Sequence, residues 1–159
     1  MKKLLLCLCF VALCQYGRAQ AIRKMKMDQL VHLIDTSSVP TVINFWATWC
    51  APCIHEIPWF EKNIAAFKEA KVKLILVSLD FADEYPVNIA AFAKKNGYQS
   101  QIIWLDETDP DIFCPKIDKK WQGTIPVSLM INNKKKYRRF FNQQLPEPRL
   151  VQELKLLVE

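Results

Sequence analysis

The stretch TVINFWATWCAPCIHEIP, residues 41–58, changes character at its middle. Thr41 to Ala47 is dense in β-branched and aromatic side chains, the composition of a largely buried strand. Beyond it Ile54, Ile57, Phe60, Ile64 and Phe67 recur at the three- and four-residue intervals of an amphipathic helix, which the pattern carries to Ala70. Pro58 lies inside that helix and is expected to bend it, because proline removes a backbone donor. A strand therefore delivers Cys50 and Cys53, two residues apart, to the first turn of a helix.

Two thiols so placed close a reversible disulfide easily. The free amides and the dipole at a helix start favour negative charge, so the Cys50 thiolate is stabilised and its pKa falls below the usual ~8.5. By this argument Cys50 is the exposed attacker on a substrate disulfide, and Cys53 resolves the mixed disulfide by attacking Cys50. Two other readings of the pair are weaker. Zinc normally takes four ligands, and His32, His55 and Cys114 supply no second close pair. A purely structural disulfide closing so short a loop constrains little of the unfolded chain. No metal and no cofactor is called for.

Outward from this stretch, residues 28–36 place Leu30, Leu33 and Ile34 on one side of a short helix with Asp28 as its N-cap. Residues 72–79 read as a second strand, 86–96 as a helix ended by Gly97, and 102–105 as a third strand. A β-rich connection is expected around Asp80 to Tyr85. Residues 109–118 form a weak helix or turn interrupted by Pro115. Residues 125–131 and 136–141 read as a hairpin whose turn residues, Asn132 and Asn133, tolerate positive φ, and 148–158 as a closing amphipathic helix. This rhythm implies an α/β fold with right-handed crossovers around a mixed or parallel sheet.

Composition sets the frame. With 51% hydrophobic residues, 24% charged and three glycines in 159, the chain suits one domain. Residues 1–19 carry the layout of a signal peptide: Lys2 and Lys3, an apolar run from Leu4 to Cys14, then small Gly17 and Ala19 before a cut at Gln20. An uncleaved anchor is the alternative, but eleven apolar residues rise only ~16 Å against a ~30 Å hydrocarbon core. A lipoprotein would need a small residue where Leu13 precedes Cys14. The folded domain is then 20–159. Losing Lys2, Lys3 and Arg18 lowers the formal charge from +6 to +3, too little and too dispersed to argue for nucleic acid. The basic cluster Lys134, Lys135, Lys136, Arg138 and Arg139 reads as a solvated hairpin, with a partner site as the alternative. Cys7, Cys9 and Cys14 leave with the leader, so Cys114 remains as an odd thiol: a buried bystander, a third redox thiol or an intermolecular bridge.

The run from Asn44 to Pro58, together with Ile125-Pro126 ahead of a strand, closely resembles the exported TlpA/ResA-like branch of the thioredoxin superfamily, over about residues 28–158. The resemblance implies a thioredoxin-like fold with a central mixed sheet flanked by helices and a family-type insertion, over about Ala82 to Gly97, before a cis-proline loop. It implies that Pro126 is cis and lies against the cysteine pair. Trp49, Ala51, Pro52, Ile125 and Pro126 would then border the substrate groove, with Trp121 a further candidate from the loop that leads to the proline. Trp46 would pack beneath the site, and Trp49 would form an apolar surface beside Cys50. Where cytoplasmic-type thioredoxins bury an aspartate, this chain has Asn44, which cannot accept a proton. Glu56, three residues after Cys53 and on its side of the helix, is the acceptor common in this branch. Burial would raise its pKa toward a range useful for exchange with Cys53; the alternative is a surface glutamate that merely favours the helix start. Val127 stands where many thioredoxins have threonine. His55 is turned away from Glu56 and reads as solvent-exposed.

The implied protein is a monomeric thiol-disulfide oxidoreductase of a bacterial periplasm, reducing protein disulfide clients with electrons from a membrane-bound donor. A disulfide-introducing oxidase is the alternative within enzymes. A redox-sensitive binding or chaperone module is the alternative outside them.

Overall fold

Strand β2 (Thr41–Trp46) is buried along its whole length, and the rest of the architecture is arranged around it. The computed structural model describes residues 21–159, so the leader expected over residues 1–19 lies outside the described residues. The elements that follow one another are β1 (Arg23–Met25), α1 (Met27–Asp35), β2, α2 (Ala51–Ala65), β3 (Lys73–Ser78), α3 (Val87–Lys95), β4 (Gln101–Leu105), α4 (Pro110–Ile117), β5 (Val127–Asn132), β6 (Tyr137–Phe141) and α5 (Glu147–Val158). They build a six-stranded mixed sheet in the order β1-β4-β3-β2-β5-β6. The four strands from β1 to β2 run parallel, and β5 and β6 are antiparallel to their neighbours.

Alternation along the strands sorts the core into two layers. On one face Val42, Trp46, Leu76 and Met130 meet Ile57 and Phe60 of α2 together with α3 and α5. On the other, Ile43, Phe45, Ile75 and Leu129 meet α1 and α4. Helix α5 is tied to the sheet edge by Glu153, a fully buried carboxylate that accepts from Arg139 at 2.8 Å and Tyr137 at 3.0 Å and pairs with Arg149. The basic cluster is thus in part structural: Arg139 serves Glu153, Arg138 donates to the Ile117 carbonyl, and Lys135 donates to that of Val158.

The α/β architecture agrees with the pattern in the sequence, and several local expectations are corrected. Strand β1 is an addition: Arg-Lys-Met carries no strand pattern and is held by its parallel register with β4. The N-cap of α1 is Lys26 rather than Asp28; its backbone N–H donates to Gln29 at 2.8 Å. Helix α2 runs unbroken through Pro58 but stops at Ala65, five residues short of the expected end, and Lys71 takes a φ of 53° in the turn that follows. Residues 110–117 form a full helix with Pro115 inside it, capped by the Asp109 carboxylate. The connection after β3 is not β-rich; it holds a 3₁₀ turn over Ala82–Glu84, followed by a cis Tyr85–Pro86 bond and α3. The insertion-like segment therefore contributes a helix, and the strand that follows it, β4, sits between β1 and β3. In the β5–β6 turn the positive φ falls on Lys136, at 54°, and not on the asparagines, because Asn133–Lys135 take up a 3₁₀ turn. Asn133 instead donates to the carbonyls of Ile34, Asp35 and Ser37, closing the end of α1. Gly97 ends α3 with a φ of 72°, as expected.

Phe60 is fully buried where α2 meets the sheet. Its truncation to alanine leaves a cavity under the cysteine-bearing helix. Phe60→Ala is expected to lower the unfolding free energy by about 3–5 kcal/mol, read from urea titrations at neutral pH.

Candidate active site

Strand β2 ends at Trp46, and the chain turns through Ala47–Trp49 into α2, with Cys50 as the N-cap. The Cys50 Sγ accepts the Cys53 backbone N–H at 3.3 Å, so the sulfur occupies the position where a helix start offers a free amide. The structure is that of the oxidised form: Cys50 and Cys53 are joined by a disulfide, with Cα atoms 5.3 Å apart. Cys50 is less open than expected. It is 5% exposed against 0% for Cys53, so the order of accessibility is as anticipated while the attacker itself is nearly covered. Ala51, Pro52 and Trp49 on either side are exposed, Trp49 at 58%.

The antiparallel register of β2 with β5 places Asn44 opposite Ser128 and Phe45 opposite Val127. The peptide bond before Pro126 is cis, as the resemblance implies, and Pro126 is buried one residue ahead of β5. The cysteine turn and the cis-proline turn thus leave adjacent strands at the same end of the sheet. Ile125 is half-buried and packs against both core layers. Trp121 offers almost no surface to a groove. At 2% exposure it is packed on Phe45 with ring centroids 4.5 Å apart, and its indole N–H donates to the Thr124 carbonyl, bracing the loop from inside. Trp46 is fully buried in the same core layer as Cys50 and Cys53, with its ring against Phe92 and Tyr98.

Glu56 is completely buried. One carboxylate oxygen accepts from Asn44 Nδ2 at 2.7 Å and the other from the Leu145 backbone N–H at 2.9 Å. Desolvation nonetheless dominates these two donors and pushes the carboxyl up to about 7. The same Asn44 amide donates to Ser128 Oγ at 3.0 Å, while its Oδ1 is buried without a hydrogen-bond partner. The segment between β6 and α5 is clipped onto α2 by two further bonds, Gln144 to the Pro52 carbonyl at 3.0 Å and the Trp59 indole to the Leu145 carbonyl at 3.1 Å. His55 is exposed with its ring edge against Trp59.

Ser128 and the Leu145 amide escape a reading of the sequence because nothing local marks them; they lie 84 and 89 residues from their partners. The same holds for Thr48 and Asp80. The β2–β3 register pairs Trp46 with Ser78, and two residues further on the Asp80 carboxylate accepts from Thr48 N at 2.9 Å and Thr48 Oγ1 at 2.6 Å. Cys114 lies in the opposite core layer, 1% exposed, its thiol pushed up to about 11 by burial. It is thus a buried thiol held protonated. Among the described residues there is no group of three or more metal-ligating side chains, and no helix long and apolar enough to cross a membrane.

A mixed sheet that presents a CxxC helix start and a cis-proline on neighbouring strands defines a thioredoxin-like redox protein. The chain belongs to the AhpC/TSA family, whose profile matches residues 18–139, within the thioredoxin superfamily. It is similar to the thiol-disulfide oxidoreductase ResA of Oceanobacillus iheyensis, with 39% identity over 81 residues, 45% of this chain and 42% of that protein. It is also similar to sporulation thiol-disulfide oxidoreductase A of Bacillus subtilis, with 30% identity over 129 residues and 74% of each chain covered. The chain thus spans less than half of the first of these relatives and about three quarters of the second. The thioredoxin-related protein of Neisseria meningitidis serogroup B superposes with a TM-score of 0.63 at 26% identity, over 76% of this chain and 86% of that one.

The buried carboxyl makes stability depend on pH. A group raised from 4.5 to about 7 on folding binds its proton more tightly in the folded chain. Its contribution is therefore complete below pH 4.5 and disappears as pH rises through 7. The oxidised protein is expected to lose on the order of 3 kcal/mol from this source between about pH 4 and 8. Urea titrations across that range should give a flatter profile for Glu56→Gln.

Proposed function

We propose that this chain is an exported thiol-disulfide oxidoreductase that reduces protein disulfides. The observation that carries this reading is the Cys50–Cys53 disulfide at the start of α2 with Glu56, a buried carboxyl near pKa 7, one turn further along the same helix. In the reduced protein, the helix start favours the Cys50 thiolate. That thiolate attacks one sulfur of the client disulfide; a Cys50–client bond forms, and the other client sulfur leaves as a thiolate that takes a proton from solvent. Cys53 gives its proton to Glu56 and attacks Cys50 Sγ. The Cys50–client bond breaks, the second client sulfur leaves as a thiolate that takes up a proton from solvent, Glu56 returns its proton to solvent, and two electrons have passed from the dithiol to the client. The carboxyl suits this step because its pKa leaves both protonation states populated at neutral pH.

Trp49, Ala51, Pro52, Ile125 and Pro126 would border the groove that holds the client chain. Trp121 supports that groove from beneath. A periplasmic location, a monomeric state and recharging by a membrane-bound electron donor complete the proposal; they rest on the leader at residues 1–19 and on the resemblance of residues 44–58 to the exported branch of the superfamily.

The equilibrium reduction potential of the Cys50/Cys53 couple, measured in a chain carrying Cys114→Ser, decides the direction. A value near or below about −230 mV is expected for a reductase, and one near −120 mV would make the protein an oxidant. Cys50→Ser should abolish reduction of a model disulfide, and Cys53→Ser should accumulate the mixed disulfide visible on a non-reducing gel. Turnover that survives Cys50→Ser would overturn the mechanism, and wild-type protein that binds clients without turnover would favour the redox-sensitive binding module.

A further inference from the structure

We propose that Trp49 and Phe81 form a preset aromatic platform beside Cys50 that takes an apolar side chain of the client polypeptide next to its reactive cysteine. The inference rests on the oxidoreductase reading and adds to it a specificity-determining residue, Phe81, from the loop after β3.

Phe81 is 69% exposed and Trp49 58%, two of the five large hydrophobic side chains left open to water among the described residues. They stack on one another, with ring centroids 6.3 Å apart and planes at 25°. The backbone that carries both rings is fixed. Thr48 precedes Trp49 and Asp80 precedes Phe81, and these two residues are bonded directly to each other through the Asp80 carboxylate. Asp80 is only 4% exposed and is held by three further hydrogen bonds, two to Ser78 and one to Trp104. Its second carboxylate oxygen accepts from Ser78 Oγ at 2.7 Å, its N–H donates to that hydroxyl at 3.1 Å, and its carbonyl accepts from the Trp104 indole at 2.8 Å. Trp104 in turn stacks on Tyr85 at 4.5 Å, which fixes the far end of the same short loop. Two stacked apolar rings left in water, on backbone fixed by a largely buried polar clasp, make a surface suited to a partner.

Position identifies the partner. Trp49 adjoins Cys50 in the chain, so a disulfide that reaches the Cys50 sulfur brings the residues beside its own cysteine, each spanning at most about 3.5 Å, to the side of the site where the platform stands. Two offset rings offer a flat apolar face, which suits an aliphatic or aromatic side chain and offers nothing to a small polar one. The occupant is therefore an extended client segment in which the residue adjoining the cysteine is leucine- or phenylalanine-like. Because the clasp fixes the backbone that carries the rings before the client arrives, the ordering cost of its binding is reduced.

The test uses the reduced protein and two peptides that differ only in the residue next to a single cysteine, leucine in one and serine in the other. Each cysteine is presented as a mixed disulfide with 2-nitro-5-thiobenzoate, so that attack on the peptide sulfur releases the coloured thiolate. Wild-type protein is expected to react with the leucine peptide about tenfold faster, in second-order rate constant, than with the serine peptide. In Phe81→Ser that ratio should fall below about twofold, and in Phe81→Tyr it should return. Equal wild-type rates, a ratio that persists in Phe81→Ser, or a uniform slowing of both peptides in that variant would overturn the platform while leaving the oxidoreductase reading intact. Self-association of the wild type that Phe81→Ser abolishes would also overturn it, by giving the rings to a second copy of the chain. Failure of the reduced wild type to release the thiolate from either peptide would overturn the oxidoreductase reading and the platform together.

Discussion

Both oxygens of the Glu56 carboxyl are bound to distant parts of the chain, and the geometry of the site depends on that arrangement. The carboxyl stands on α2, one oxygen is held by Asn44 of β2, and the other by the Leu145 amide ahead of α5. Asn44 reaches on to Ser128 of β5, two residues after the cis-proline. Four segments thus converge around one acidic group that has no exposed surface. A buried carboxyl without donors would be too costly to keep, and a carboxyl with a cationic partner would be locked in its ionised form. Two neutral donors set it between these limits: bound firmly enough to have one position, desolvated enough to exchange a proton at neutral pH.

The two faces of the sheet divide the work. The face covered by α2, α3 and α5 holds Cys53, Glu56, Trp46 and the polar bridge through Asn44. The face covered by α1 and α4 is packing, including Trp121 and Cys114. Period-two alternation in β2 makes this division: Val42, Asn44 and Trp46 turn one way, Ile43 and Phe45 the other. One polar residue in a run of apolar ones is the trace that a site leaves in such a strand.

What could be read from the sequence followed locality. Cys50, Cys53 and Glu56 lie within one helical stretch, so their spacing alone places them together, and the strands rich in β-branched residues announce themselves. The end of α2 at Ala65, the positive φ at Lys136 and the short β1 were not legible, because a turn conformation or a parallel neighbour decides them rather than side-chain period. The partners of Glu56 and the Thr48–Asp80 clasp are set by tertiary packing and strand register, which bring together residues from 12 to 89 positions apart. Trp121 shows the converse: its place in a loop leading to the cis-proline suggests a lining role, yet a ring that finds three aromatic neighbours inside stays inside.

The burial of Cys114 has a consequence for fidelity. Under oxidising conditions, a third thiolate close to the pair would invite the disulfide to migrate into another pairing. Here the spare thiol sits behind the sheet from Cys53 and keeps its proton at any ordinary pH. The β-sheet therefore acts as an insulator between two sulfur chemistries, and among the described residues the Cys50–Cys53 pair is left as the one point of exchange.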